Sequence, residues 1–164
     1  TFHRILPQEG RPSEPAEAKQ LVLCSGKVYY DLLEEQERRK VTDVHLLRIE
    51  QLYPFPWDAL KPELEPYKHC DLVWCQEEPR NSGAWSYIGE FIEEVATEIG
   101  FERPRPRYAG RRAAASPATG SHKRHLEEQA QLVDEALTVG LPRAGRIAAR
   151  RAADNGAAER MAAK

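Results

Sequence analysis

Long apolar runs are missing from this 164-residue chain. None approaches the roughly 20 residues of a membrane-crossing helix, so a helical membrane span is not among the candidate classes and no membrane partner is expected. The opening residues do not have the pattern of a secretory signal. Cysteine is scarce and odd in number: Cys24, Cys70 and Cys75 all sit in or beside apolar runs. That placing argues against a disulfide framework and for reduced, buried thiols in a cytosolic protein. Metal-ligand spacing is also missing. His122 and His125 have no cysteine or histidine partner at zinc-site separations, so no metal site is expected. The phosphate-loop pattern G-x-x-x-x-G-K-[ST] does not occur. Nor does a methionine open the chain; it starts at Thr1, and a processed or partial product is the expectation.

What is present suffices for one domain with a real core, since 41% of the residues are hydrophobic. The formal charge of −2 hides an asymmetry. From Thr138 onward six Arg and Lys face only Asp154 and Glu159, a net +4, which leaves residues 1–137 at −6. An acidic body of this kind is not a nucleic-acid binder. The basic end, residues 139–164, is Ala- and Arg-rich and broken by Gly140, Pro142, Gly145 and Gly156. Its apolar face is mostly alanine, so it reads as a mobile tail. A basic arm for an acidic partner is the competing reading.

Between these ends, apolar runs alternate with helical patterns. Residues 1–19 hold three prolines and mixed charge and read as an extended lead-in. "LVLCSG" (21–26), "VHLLRIEQL" (44–52) and "CDLVWCQ" (70–76) are strand-like, and "RPRYAG" (105–110) is a fourth, shorter candidate. After the first, Val28 and Leu32, and Tyr29 and Leu33, recur four apart, with Glu34–Arg38 and Glu35–Arg39 as favourable pairs. "PFPWDALKPELEPY" is a proline-started helix in which Pro62 should kink or delay the pattern. Ile88, Phe91, Ile92, Val95 and Ile99 form one stripe that Gly100 ends. Leu126, Ala130, Val133 and Leu137 predict one face of a last helix. Strands alternating with helices, and strands apolar without a break, predict an α/β fold: a mainly parallel sheet with helices on both faces. Ligands of such sheets meet the carboxyl ends of the strands, where "CSGK" and "QEEP" both fall.

Two stretches there raise chemical questions. Glu77 and Glu78 are adjacent, and adjacent strand residues point to opposite faces, so the pair need not share a site. As acid–base catalysts they would need environments that separate their pKa values; the plainer reading is that one ties down the following loop or a neighbouring subunit. "ASPATGSHKRH" (115–125), with Arg111 and Arg112 upstream, is either an anion site at a helix start or an ordinary start capped by Ser121 or Thr119. Lys27 is either a phosphate contact or a surface lysine at a turn. Cys75 with a histidine could be imagined as a nucleophile pair, but a buried strand cysteine is the simpler reading. These residues do not make a complete active site.

Four stretches taken together carry more: "LVLCSGKVYYDLLEE", "RIEQLYPFP", "VWCQEEPRNSGAW" and "RYAGRRAAASPATGSHKRH". In this order and spacing they resemble the C-terminal domain of the first, thiamine-diphosphate-dependent component of 2-oxoglutarate dehydrogenase, over about residues 1–138. The resemblance implies a transketolase C-terminal-domain-like fold over 20–138, with 1–19 leading in from a missing middle domain. It implies a full subunit that decarboxylates 2-oxoglutarate on thiamine diphosphate and magnesium, passes the succinyl group to the lipoyl group of the dihydrolipoyl succinyltransferase component, and works as a homodimer. A close relative acting on 2-oxoadipate would share the pattern. The cofactor motif, Gly-Asp-Gly with a downstream Asn, and the catalytic histidines belong to the missing domains, so no catalytic residue is expected in this segment, which alone should be inactive. Glu77, Glu78 and Trp85 would orient loops at interfaces. Some members bind AMP or acetyl-CoA near the domain junction, and Arg4 and Lys27, with Arg111 or Arg112, are the matching anion candidates. The implied location is the bacterial cytoplasm, or the mitochondrial matrix in a eukaryote. The alternatives are a free-standing module for anionic nucleotides and an independent Cys/His enzyme.

Overall fold

The computed structural model describes residues 2–115 and 120–142. Five strands, β1 (Ile5–Pro7), β2 (Gln20–Cys24), β3 (Val44–Ile49), β4 (Asp71–Pro79) and β5 (Arg107–Arg111), form one sheet in the order β1-β3-β2-β4-β5. All neighbours are parallel except β1 against β3. Helices α1 (Val28–Arg39), α2 (Trp57–Leu64), α3 (Trp85–Ile99) and α4 (His122–Leu137) cover both faces. The fold is therefore the α/β fold expected, consistent with a transketolase C-terminal-like domain. Every residue of β2 is buried, as a strand covered on both sides must be.

Connection handedness decides which helix lies where. The step from β2 to β3 runs one way across the sheet; the steps from β3 to β4 and from β4 to β5 run the other way. Right-handed crossovers then put α1 on one face and α2 and α3 on the opposite one. One core gathers Val22, Cys24, Leu46, Val73 and Cys75 under α1 and α4. The other gathers Leu21, Leu23, Leu47, Leu72 and Trp74 under α2 and α3. Because β2 and its neighbour β4 send their chains to opposite faces, a crevice opens at their carboxyl ends.

The lead-in is more built than its sequence suggests. Ile5–Pro7 is the antiparallel edge strand, and Gln8 prolongs it by bonding both backbone groups of Leu46 through its own N–H and Oε1. Further along, Ser13 sits 3.0 Å from Nε2 of the fully buried His45 and donates to the Thr42 carbonyl at 2.7 Å. With its hydroxyl proton spent, Ser13 accepts from Nε2–H, and Nδ1 then accepts from the Tyr67 hydroxyl at 2.9 Å. Arg11 donates to that hydroxyl from 3.4 Å. This chain of donors suits a neutral imidazole. Burial, and after it the charge of Arg11, hold the His45 pKa below its ordinary value, against the pull of Glu14 and Glu17.

Pro62 lies inside α2, which runs through it to Leu64 before tightening into a 3-10 turn over Glu65–Tyr67. Two local expectations change. Arg38 pairs with Glu35 rather than Glu34, so that Glu35 serves both Arg38 and Arg39. On α4 the buried residues are Leu132, Val133, Ala136 and Leu137, while Leu126 is 55% exposed. Only the second half of α4 lies over the sheet, so Leu126 and Ala130 keep the helical spacing without a core to meet. Residues 143–164, most of the basic end, and 116–119 within the candidate anion segment lie outside the described residues.

Truncation separates the two halves of α4. Leu132→Ala is expected to cost about 2–5 kcal/mol in urea unfolding, and Leu126→Ala to stay within about 0.5 kcal/mol. The His45 chain adds a pH dependence. The unfolded histidine titrates near pH 6.5 while the folded one titrates lower. The stabilisation is complete above about pH 6.5 and is lost as pH falls toward the folded value, at up to about 1.4 kcal/mol per pH unit. Unfolding measured between pH 7.5 and 5.5 should show this slope in the parent chain and lack it in His45→Gln.

Candidate functional site

The crevice at the strand ends is shaped by an irregularity in β4. Cys75 pairs with Ala109 and Pro79 with Arg111, so four steps along β4 match two along β5. The extra length holds Gln76, Glu77 and Glu78, a bulge of the sort that re-aims side chains beside sites. It is stabilised by Gln76, which is 3% exposed. The Gln76 Nε2 donates toward the carbonyls of Glu78, Pro79 and Ser82 at 3.1, 3.0 and 2.9 Å. Its Oε1 accepts from Trp74 Nε1 at 3.0 Å and from the Trp85 backbone N–H at 2.9 Å. One amide thus fastens the strand end, the turn and the start of α3. Gly83 lets that turn close: its φ is +66°, and a Cβ there would lie 2.9 Å from the Glu78 Cβ.

Glu77 and Glu78 part company, as alternation expects. Glu77 faces α1 and α4: its Oε1 accepts from Lys27 Nζ at 2.7 Å and from Gln129 Nε2 at 2.9 Å. Gln129 also reaches Asp31 at 2.7 Å, which ties α4 to α1. The cation expected beside one of the acids is therefore Lys27, whose pKa the hydrogen bond to Glu77 raises. Glu78 is exposed on the other face. There it borders a cavity of about 560 Å³ that reaches from Ser25 and Gly26 across the end of β3 to Tyr87 on α3. Trp85 packs 5.3 Å, centroid to centroid, from the Tyr108 ring, and its backbone N–H serves Gln76.

Two of the anion candidates are already engaged by their own fold. Besides Lys27, Arg111 has a side chain only 9% exposed; its Nε lies 3.5 Å from Glu128, and its Nη2 donates to His125 Nδ1 at 2.8 Å. Arg4 and Arg112 are exposed, and among the described residues neither side chain has an ion pair. Arg4 lies at the start of β1, where its carbonyl accepts from Glu50 and Gln51, so it shares the carboxyl edge of the sheet with Lys27. Ser121 stands at the N-cap of α4 without a side-chain cap bond, and Thr119 lies outside the described residues. Cys75 is fully buried, and burial pushes its thiol well above the ordinary value, which removes it as a nucleophile. The residue that sequence reasoning passed over is Gln76. The only signal was an amide directly after an apolar run, before a proline and a glycine.

Gln76→Glu tests the hub. The new carboxylate would set an oxygen against three carbonyls, and the expected loss is at least about 2 kcal/mol in urea unfolding. Glu77→Gln removes one exposed ion pair and should cost no more than about 1 kcal/mol.

Comparison with known proteins follows this geometry. The family described as 2-oxoglutarate dehydrogenase C-terminal matches residues 1–137. A 2-oxoglutarate dehydrogenase E1 component of Brucella abortus (strain S19) is 50% identical over 145 residues, covering 84% of this chain and 14% of the relative. One of Brucella anthropi is 51% identical over the same length and coverage. The chain thus spans about a seventh of the length of these relatives. With the matched region including every strand and helix described, the chain belongs to the 2-oxoglutarate dehydrogenase C-terminal family.

Proposed function

We propose that this chain acts as the C-terminal domain of a 2-oxoglutarate dehydrogenase first component, a part of a longer protein rather than an enzyme by itself. The observation that carries the reading is half identity over 84% of this chain against only 14% of the relatives. In that reading the longer protein decarboxylates 2-oxoglutarate on thiamine diphosphate and magnesium and succinylates the lipoyl group of the dihydrolipoyl succinyltransferase component. The described residues include no group of three His, Cys, Asp or Glu that could hold a metal ion. In this reading the rest of the longer protein holds the cofactor and magnesium, and no proton transfer is assigned to Glu77 or Glu78.

The role left to this domain is to shape and join. Glu77, Glu78 and Trp85 belong to the turn that Gln76 fastens, and a rigid turn is what a domain or dimer interface requires. A regulatory anion such as AMP or acetyl-CoA fits the same reading. Lys27 is 74% exposed, and its single ion pair to Glu77 is of the kind worth about 1 kcal/mol or less, so a phosphate competes for it at small cost. The setting is the bacterial cytoplasm, or the mitochondrial matrix in a eukaryote. A free-standing module for anionic nucleotides is the second reading, and the exposure of Lys27 and Arg4 is what favours it.

Two measurements decide between them. Sequencing the DNA upstream of Thr1 is expected to show an open frame with a Gly-Asp-Gly motif and a downstream Asn. The 164-residue chain, folded by circular dichroism, is expected to neither turn over 2-oxoglutarate nor bind thiamine diphosphate. A start codon close to Thr1, with a natural product of this mass, would put the binding module first.

A further inference from the structure

The cavity at the β2–β4 crevice has a chemical character of its own, which goes beyond the reading above and does not rest on it. Its walls are mostly apolar: Leu52, Tyr53, Ala84, Tyr87 and the buried Trp74. The tyrosine rings stand 6.5 Å apart at 52°, one wall of the opening. At about 560 Å³ it has the size of a small-molecule site. It also occupies the place where open α/β sheets bind ligands.

The charge around it has one sign. Among the described residues, Glu78 is the only charged side chain bordering the cavity. Among the described residues its carboxylate has no ion pair. Lys27, next in sequence to Gly26 of the lining, turns to Glu77 on the opposite face. Arg80 holds its guanidinium 5.2 Å from the Tyr108 ring centre and 5.7 Å from that of Trp85.

Counting donors and acceptors sharpens the choice. Gln76 spends its amide on three carbonyls and its oxygen on two N–H groups, and Trp74 spends its N–H on Gln76. A helix start nearby would ordinarily favour an anion. Yet of the first four N–H groups of α3, Trp85 serves Gln76, and Tyr87 and Ile88 serve the Ala84 carbonyl. Among the described side chains, what the cavity offers a guest is a carboxylate, tyrosine faces and hydroxyls.

We propose that this cavity binds an organic cation, an amidinium, guanidinium or protonated amine on a planar apolar body, with Glu78 meeting the charge and Tyr53 and Tyr87 covering the body. Aromatic faces attract cations through the ring quadrupole, and a charge-assisted bond to a carboxylate is the strong kind of hydrogen bond.

The probes are benzamidine, its neutral isostere benzamide and its anionic counterpart benzoate, titrated into the 164-residue chain and followed by tryptophan fluorescence and amide chemical shifts. Benzamidine is expected to bind at least about tenfold more tightly than benzamide, with benzoate weaker than both. Glu78→Gln, checked for an unchanged melting temperature, should erase the preference of benzamidine over benzamide. Tyr53→Ala, a surface change that leaves Glu78 in place, should weaken both and keep their ratio. Equal binding of benzamidine and benzamide, tighter binding of benzoate, or a preference that survives Glu78→Gln would each overturn the proposal. Failure of the upstream reading frame to encode a dehydrogenase would leave these outcomes unchanged.

Discussion

One buried amide holds the functional end of this domain together. Gln76 lies where β4 must do three things at once: finish the sheet, bulge, and turn into α3. Each step leaves backbone groups without sheet partners in a place with little water, and an unpaired buried group costs about as much as a lost hydrogen bond. A glutamine suits the task because it carries two donors and an acceptor on a side chain long enough to span the turn. A carboxylate would lack the donors, and an aliphatic residue would lack both. The adjacent acids depend on this support: alternation sends them to opposite faces, and Gln76 secures the bulged strand end that carries them.

The separation gives one strand end two electrical characters. On the α1–α4 side, Lys27, Glu77, Gln129 and Asp31 form a connected polar chain, continued nearby by Arg111, His125 and Glu128. Lys27 and Arg111 stand among Glu77, Asp31 and Glu128, so most of these charges are paired and the chain fixes α1 and α4 relative to β4. On the α2–α3 side, a single carboxylate borders aromatic walls, and among the described residues no base balances it within the cavity. Charge is a weak guide at an exposed pair, and an unpaired carboxylate beside an apolar surface says more about what can bind there. That difference is why the second face carries the sharper ligand argument.

At the opposite edge the lead-in is drawn into the sheet by side chains rather than by a long strand. Three residues of β1 would hold little alone. Gln8 extends the pairing, and Ser13 and Arg11 join the chain through His45 to Tyr67, which anchors the segment where β3 begins. The neutral form of His45, which burial favours, suits that chain.

The order of elements was legible in the sequence, because continuous apolar runs and four-residue spacing report directly on strands and helices. The α3 stripe ending at Gly100 and the pairing of Glu35 with Arg39 followed from such local rules. The opposed directions of Glu77 and Glu78 also followed, from strand alternation alone. Tertiary structure decided what depends on residues distant in sequence. Periodicity marks a helical face, but only the sheet beneath determines how much of it is covered, and so Leu126 remains exposed on α4. A short lead-in strand carries almost no pattern and exists because the edge of β3 offers unpaired backbone groups. Gln76 looks like any polar residue after an apolar run, and its five partners appear only once β4 has bulged and α3 has packed. The cavity, too, is a product of handedness: opposite crossovers around β2 open it, and no local stretch of sequence records that.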